Sequence, residues 1–173
     1  HRIDPVAKAL IPVPGSPFAT GGTPPDELAL DPSGAFLYAV ASDDGGVNAF
    51  AIDAATGALT AIAGSPFATA RNPHGVVVDP GGRFVYVATQ AYKTAASTVS
   101  AYAIDAITGA LAPLPGSPFA VPDSAFALAI DPLGRYLYLT AKDGLQAYAI
   151  DAATGVLRFI AALNPDRLNH VVR

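Results

Sequence analysis

Apolar residues in this chain come in short runs separated by turn residues. The stretches "ELALD" (27–31), "GVVVD" (75–79) and "ALAID" (127–131) are short, apolar and rich in Val, Leu and Ala. Such runs predict buried strands. Each leads into Asp-Pro-x-Gly, read as DPSG, DPGG or DPLG. There the aspartate can bond its own backbone, proline presets φ, and glycine takes the left-handed position. The next stretch is "AFLYAVAS", "RFVYVATQ" or "RYLYLTAK". Its aromatic and β-branched residues predict a second strand. The third, "GVNAFAID", "STVSAYAID" or "GLQAYAID", alternates, with Val47, Ala49 and Ala51 against Asn48, Phe50 and Ile52. "DAATGAL", "DAITGAL" and "DAATGVL" predict hairpins in which Gly57, Gly109 and Gly155 take positive φ. A fourth strand then runs to "GSPFA".

The segments repeat in register. "GSPFA" begins at Gly15, Gly64 and Gly116, DPxG at Asp31, Asp79 and Asp131, and the third-strand motif at Ala49, Ala101 and Ala147. The unit is about 50 residues long and made of four strands, which predicts an all-β fold, a β-propeller of four-stranded blades. Helical repeats of similar period are excluded by 16 Gly, 16 Pro and the two-residue alternation. The expected division of this single partial domain (1–173) is a strand stub over 1–15, blades over 16–64, 65–116 and 117–162, and a second stub over 163–173. Ile3–Leu10 aligns with Ile52–Leu59, the tail of a third strand and the start of a fourth. Asn164–Arg173 aligns with the linker and first strand that begin at Asn72.

Composition narrows the classes of function. Hydrophobic residues make up 51% and charged residues 14%, the balance of a chain with a packed core. The net charge is −4 and no basic cluster exists, so nucleic acid is not an expected partner. No stretch approaches the roughly 18 apolar residues of a membrane helix, so no membrane partner is expected. The absence of cysteine removes disulfides, thiolate nucleophiles and Cys-based zinc sites. No segment reads as a signal peptide, which leaves the compartment open. A chain starting at His1 without methionine is expected to be processed, tagged or internal to a longer gene.

"PHGVVVDPGGRFVYVAT", "VSAYAIDAITGALAPLPGSPFA" and "DPLGRYLYLTAKDGLQAYAIDAATGVL" resemble the lactonase-type seven-bladed propeller family, which includes 6-phosphogluconolactonase-like proteins. The resemblance covers nearly the whole chain and implies lactone hydrolysis on the channel face. The family's "PHxxxxDPxGRFVYV" pattern is matched by Pro73, His74, Asp79, Pro80, Gly82, Arg83, Phe84, Val85, Tyr86 and Val87. The chain is about half the family's usual length. Three full blades cannot close a ring, so self-association is expected: a homodimer arranged head to tail, each stub completed by the partner.

In a propeller the first strand of each blade lines the central channel. Alignment on DPxG makes Asp26, His74 and Phe126 equivalent at the start of that strand, with Glu27 level with Gly75 and Ala127. Asp166 joins them through the second stub, or His170 does in an alternative register. Arg71, Arg167, Asp123 and Ser124 lie close by in sequence. One reading is a hydrolase in which His74, Asp26 and Glu27 activate water and Arg71, Arg167 and Ser124 hold a small-molecule substrate. Asp26, His74, Asp166 and His170 would suit a divalent metal ion as cofactor, since carboxylates and imidazoles are its usual ligands. The alternative is a noncatalytic propeller, a binding or structural scaffold. Residues that recur once per blade explain themselves structurally. These are Ser16, Ser65 and Ser117 of "GSPF", the DPxG aspartates, and Asp53, Asp105 and Asp151 of "IDAxTG".

Overall fold

The computed structural model of the chain describes residues 2–20, 23–42, 45–70, 72–90, 97–121, 124–142 and 144–163. All regular structure among them is β. No helix is long and apolar enough to cross a membrane.

The chain opens with a hairpin, β1 (Arg2–Asp4) and β2 (Ala9–Ile11). The first blade is β3 (Glu27–Leu30), β4 (Phe36–Val40), β5 (Gly46–Ile52) and β6 (Leu59–Ala61), with β7 (Phe67–Ala68) also paired to β5. The second is β8 (Pro73–Val78), β9 (Phe84–Thr89), β10 (Thr98–Ile104) and β11 (Leu111–Pro113), with β12 (Phe119–Ala120) paired to β10. The third is β13 (Ala125–Ile130), β14 (Tyr136–Ala141), β15 (Gly144–Ile150) and β16 (Leu157–Leu163). Every pairing is antiparallel between sequence neighbours, apart from the extra pieces β7 and β12. This is the expected partial propeller.

The first stub is a two-stranded hairpin, as its alignment with Ile52–Leu59 predicts. One detail differs from the sequence reading. The fourth strand does not stop at "GSPF": Phe67 and Ala68 pair back onto Val47 and Gly46, so the first sheet continues past Gly64. The interruption is built by the serine. Ser65 Oγ accepts the Ala49 N–H at 2.9 Å, and Ser117 Oγ accepts the Ala101 N–H at 2.9 Å. A side-chain oxygen thus replaces a strand carbonyl where the edge strand bulges away. The third blade lacks the motif, and its outer strand β16 is a single strand from Leu157 to Leu163 with one register shift opposite Ala147 and Tyr148.

The core lies between blades. Along β9, Phe84, Tyr86 and Ala88 face the third blade while Val85 and Val87 face the first. Strand alternation therefore supplies both cores from one strand. Buried phenols lock the blades together. Tyr38 donates to the Gly109 carbonyl at 3.0 Å and Tyr86 to the Gly155 carbonyl at 2.8 Å, each from one blade to the hairpin of the next. Burial pushes both phenols well above their ordinary pKa. Arg83 adds a bond from Nη1 to the Ala152 carbonyl at 2.7 Å.

Candidate functional site

The three inner strands β3, β8 and β13 run side by side, with β8 between the other two. At their start the backbones converge. A Cβ on Gly75 would lie 2.5 Å from the Phe126 carbonyl oxygen and 3.3 Å from Glu27 Oε2. Only glycine fits that crossing point. Each inner strand is also irregular here. Register shifts between Pro73 and Gly75 in β8, and between Ala125 and Leu128 in β13. In the first blade both Asp26 N and the Glu27 position bear on Val40. Bulges of this kind re-aim side chains and are frequent beside functional sites.

The bulges bring Asp26, His74 and Phe126 to corresponding positions. His74 is half-buried, and its ring lies 6.4 Å from that of Phe126, tilted by 47°. Glu27 reaches across from the first blade, where Oε2 accepts the Val76 N–H at 3.0 Å. Asp26 is exposed, and its Oδ2 accepts the Ser42 N–H at 2.7 Å. One oxygen of each carboxylate is thus held by a backbone N–H. Ser124 stands half-buried just before β13.

Other predicted members, Arg71, Asp123, Asp166, Arg167 and His170, lie outside the described residues. Among the described residues no group of three or more His, Asp or Glu side chains comes together as a metal site. Asp26 and His74 do not by themselves make up the ligand set of a divalent ion.

The repeated aspartates are occupied by turns. Asp79 Oδ1 accepts the N–H groups of Arg83 and Phe84, both at 2.6 Å, and Oδ2 that of Gly81 at 3.1 Å. Asp131 does the same for Arg135 and Tyr136. Burial alone would raise Asp31, but hydrogen bonds from the Ser33 hydroxyl and from the N–H groups of Phe36, Ser33 and Ala35 hold it below its ordinary value. Asp53 and Asp151 bond the hydroxyls and N–H groups of Thr56 and Thr154, and Asp105 the N–H of Thr108. Sequence reasoning missed two features of the site. These are the clamp from Glu27 to Val76 and the need for Gly75, since both depend on how neighbouring blades approach.

Residues 14–71 match the sequence model of the lactonase family, a 7-bladed beta-propeller. The fold is a β-propeller, present in part. Among solved structures, a candidate 6-phosphogluconolactonase from Bacteroides fragilis superposes with a TM-score of 0.66 at 21% identity, over 81% of this chain and 39% of that one. The periplasmic gluconolactonase of Pseudomonas aeruginosa gives 0.66 at 20% identity, over 81% and 39%. A protein of unknown function from Desulfotomaculum acetoxidans gives 0.68 at 17% identity, over 79% and 41%. The chain thus spans about two fifths of the length of the structures it matches. No curated protein matches it.

Proposed function

We propose that the chain is part of a lactonase-like hydrolase whose site lies at the bulged start of β3, β8 and β13. The observation that carries this reading is His74. It is a titratable side chain at a bulge, half-buried beside an aromatic ring, where the other blades hold Asp26 and Phe126. The lactonase family match, and the gluconolactonase named among the structural relatives, supply the reaction class.

In this reading the imidazole of His74 takes a proton from water as the oxygen attacks the lactone carbonyl. The ring C–O bond then breaks, and the departing alkoxide takes the proton back, giving a hydroxy acid. The free oxygens of Asp26 and Glu27 orient the imidazole and the water. The Phe126 ring gives the substrate an apolar face. Arg71 and Arg167 would hold an anionic group on the substrate, and Ser124 would bond its hydroxyls. A divalent ion remains part of the proposal only with Asp166 or His170 added to Asp26 and His74, and no step above depends on it.

The noncatalytic scaffold has its own support, because Asp26 and Glu27 each give one carboxylate oxygen to a backbone N–H. Hydrolysis of a sugar δ-lactone, of an aryl ester and of a phosphotriester, followed for wild type and His74→Ala, separates the two readings. Loss of roughly 100-fold in kcat on replacing His74 fits general-base catalysis. Equal rates in both proteins, or no hydrolysis by either, would leave the scaffold.

A further inference from the structure

The junctions between the first and second blades and between the second and third are built to one plan. At the first, Tyr38 donates to the Gly109 carbonyl, and a Cβ on Gly109 would run into the Phe36 ring. At the second, Tyr86 donates to the Gly155 carbonyl, and a Cβ on Gly155 would run into the Phe84 ring. The DPxG turns stack alike. A Cβ on Gly82 would lie 3.4 Å from Pro32 Cδ, and one on Gly134 3.5 Å from Pro80 Cδ. Each residue of one junction thus has a counterpart in the other.

One side chain breaks the plan. The second blade carries Arg83 directly after its DPxG turn, where the first carries Ala35. Arg83 has three partners at its junction. Its Nη1 donates to the Ala152 carbonyl at 2.7 Å, its Cζ stands 5.0 Å from the centre of the Phe84 ring, and its Nε lies 3.7 Å from Asp79 Oδ2. The counterparts of all three are present at the first junction: Ala106 for Ala152, Phe36 for Phe84 and Asp31 for Asp79. There they line one cavity of about 380 Å³. Phe84 is buried beside Arg83, whereas Phe36 is half-buried. The Ala106 carbonyl accepts no hydrogen bond from the described residues. Asp31 is bonded within its turn, Oδ2 by the Ser33 N–H and hydroxyl and Oδ1 by the Phe36 N–H. It therefore acts on a cation by charge at a distance, as Asp79 does on Arg83.

We propose that this cavity binds a small guanidinium compound, in the place that the Arg83 side chain takes at the next junction. The flat cation lies over the Phe36 ring, donates an N–H to the Ala106 carbonyl and is held by the charge of Asp31. A primary ammonium is a compact, strongly hydrated point charge and does not match all three partners at once. The third blade repeats the preference, with Arg135 Cζ 5.3 Å from the centre of the Tyr136 ring and Nε 3.0 Å from Asp131 Oδ2. The cavity lies at the DPxG ends of β3 and β8, away from His74 at the start of β8, so the proposal is independent of the hydrolase reading.

Titration of butylguanidinium into the isotope-labelled full chain, followed by amide NMR shifts, tests it. The amides of Phe36 and Ala106 are expected to shift and to saturate in the millimolar range. Butylurea keeps the plane without the charge, and butylammonium the charge without the plane. Each should bind at least tenfold more weakly. Ala35→Arg should abolish the shifts, because its own guanidinium fills the cavity as Arg83 fills its counterpart. Arg83→Ala should open a second site, with new saturable shifts at Phe84 and Ala152. No saturable shift at Phe36 and Ala106 in wild type overturns the proposal. So does unchanged binding in Ala35→Arg, or equal binding of either control compound. Should Ala35→Arg fail to fold, Arg83→Ala decides: a second site supports the proposal, and its absence overturns it.

Discussion

Tyr86 and Tyr138 show how far one residue's role depends on what lies opposite. The side chains are identical and the local sequences nearly so. Tyr86 is fully buried on the Gly155 carbonyl, and Tyr138 is partly exposed with no described partner for its hydroxyl. Tyr86→Phe should cost about 1–3 kcal/mol, because the buried carbonyl loses its donor. Tyr138→Phe should leave the stability of the dilute chain unchanged. Urea midpoints for the two variants check the contrast. The "GSPF" serines offer a second test at this scale. Ser117→Ala strands the N–H of Ala101, which is 0% exposed, and should cost about 1–3 kcal/mol. Any lactone hydrolysis should persist in this variant. Loss of hydrolysis in a folded Ser117→Ala protein would mean that the serine has a chemical role as well as a structural one.

Hairpins are the elements on which blade contact turns. Gly155 has φ of 71°, and a Cβ there would lie 2.7 Å from Phe84 Cδ1 and 2.8 Å from Leu114 Cδ1. Gly34 has a similar φ of 74°, but a Cβ there meets nothing within 4 Å. Gly34→Ala should therefore cost only the left-handed backbone penalty, about 1–2 kcal/mol. Gly155→Ala should cost more, through displaced Phe84 and Leu114, and thermal unfolding would rank the pair. The aspartates of the same hairpins set an acid limit. The Thr56 hydroxyl, the Thr108 N–H and the Thr154 hydroxyl lead the hydrogen bonds that hold Asp53, Asp105 and Asp151 below their ordinary 3.8. The unfolded carboxyls bind protons first as pH falls, so this stabilisation is complete above 3.8 and lost as pH drops through the folded values. Replacing the three with Asn keeps a carbonyl acceptor that does not titrate in this range. The fall in urea midpoint between about pH 5 and pH 3 should be smaller in that variant than in wild type.

At the scale of the whole molecule, the described residues form two closed inter-blade cores and leave apolar side chains exposed on the first and third blades. The first blade leaves Leu28 and Leu30 at 56% and 59% exposure, and the third leaves Tyr136 and Tyr138. A Leu28→Asp substitution should barely change the stability of the dilute chain. Val76→Asp, at the equivalent position inside a core, should unfold it, because an unpaired buried carboxylate has no compensation there. Circular dichroism at dilution distinguishes the two.

The repeats were legible because each blade solves the same local problem. DPxG and IDAxTG carry their turns within a few residues, and the strands between them announce themselves by alternation and β-branched content. Those features depend on backbone conformation and short-range hydrogen bonds, so sequence determined them alone, together with the all-β propeller class. The alignment of Asp26, His74 and Phe126 was legible for the same reason. What Glu27 does with Val76, why residue 75 must be glycine, and which tyrosine is buried were decided by the packing of one blade on the next. Such contacts join residues tens of positions apart, and identical motifs meet different neighbours. Tyr38, Tyr86 and Tyr138 read alike in sequence, and only the tertiary structure tells the two that are locked from the one that is open.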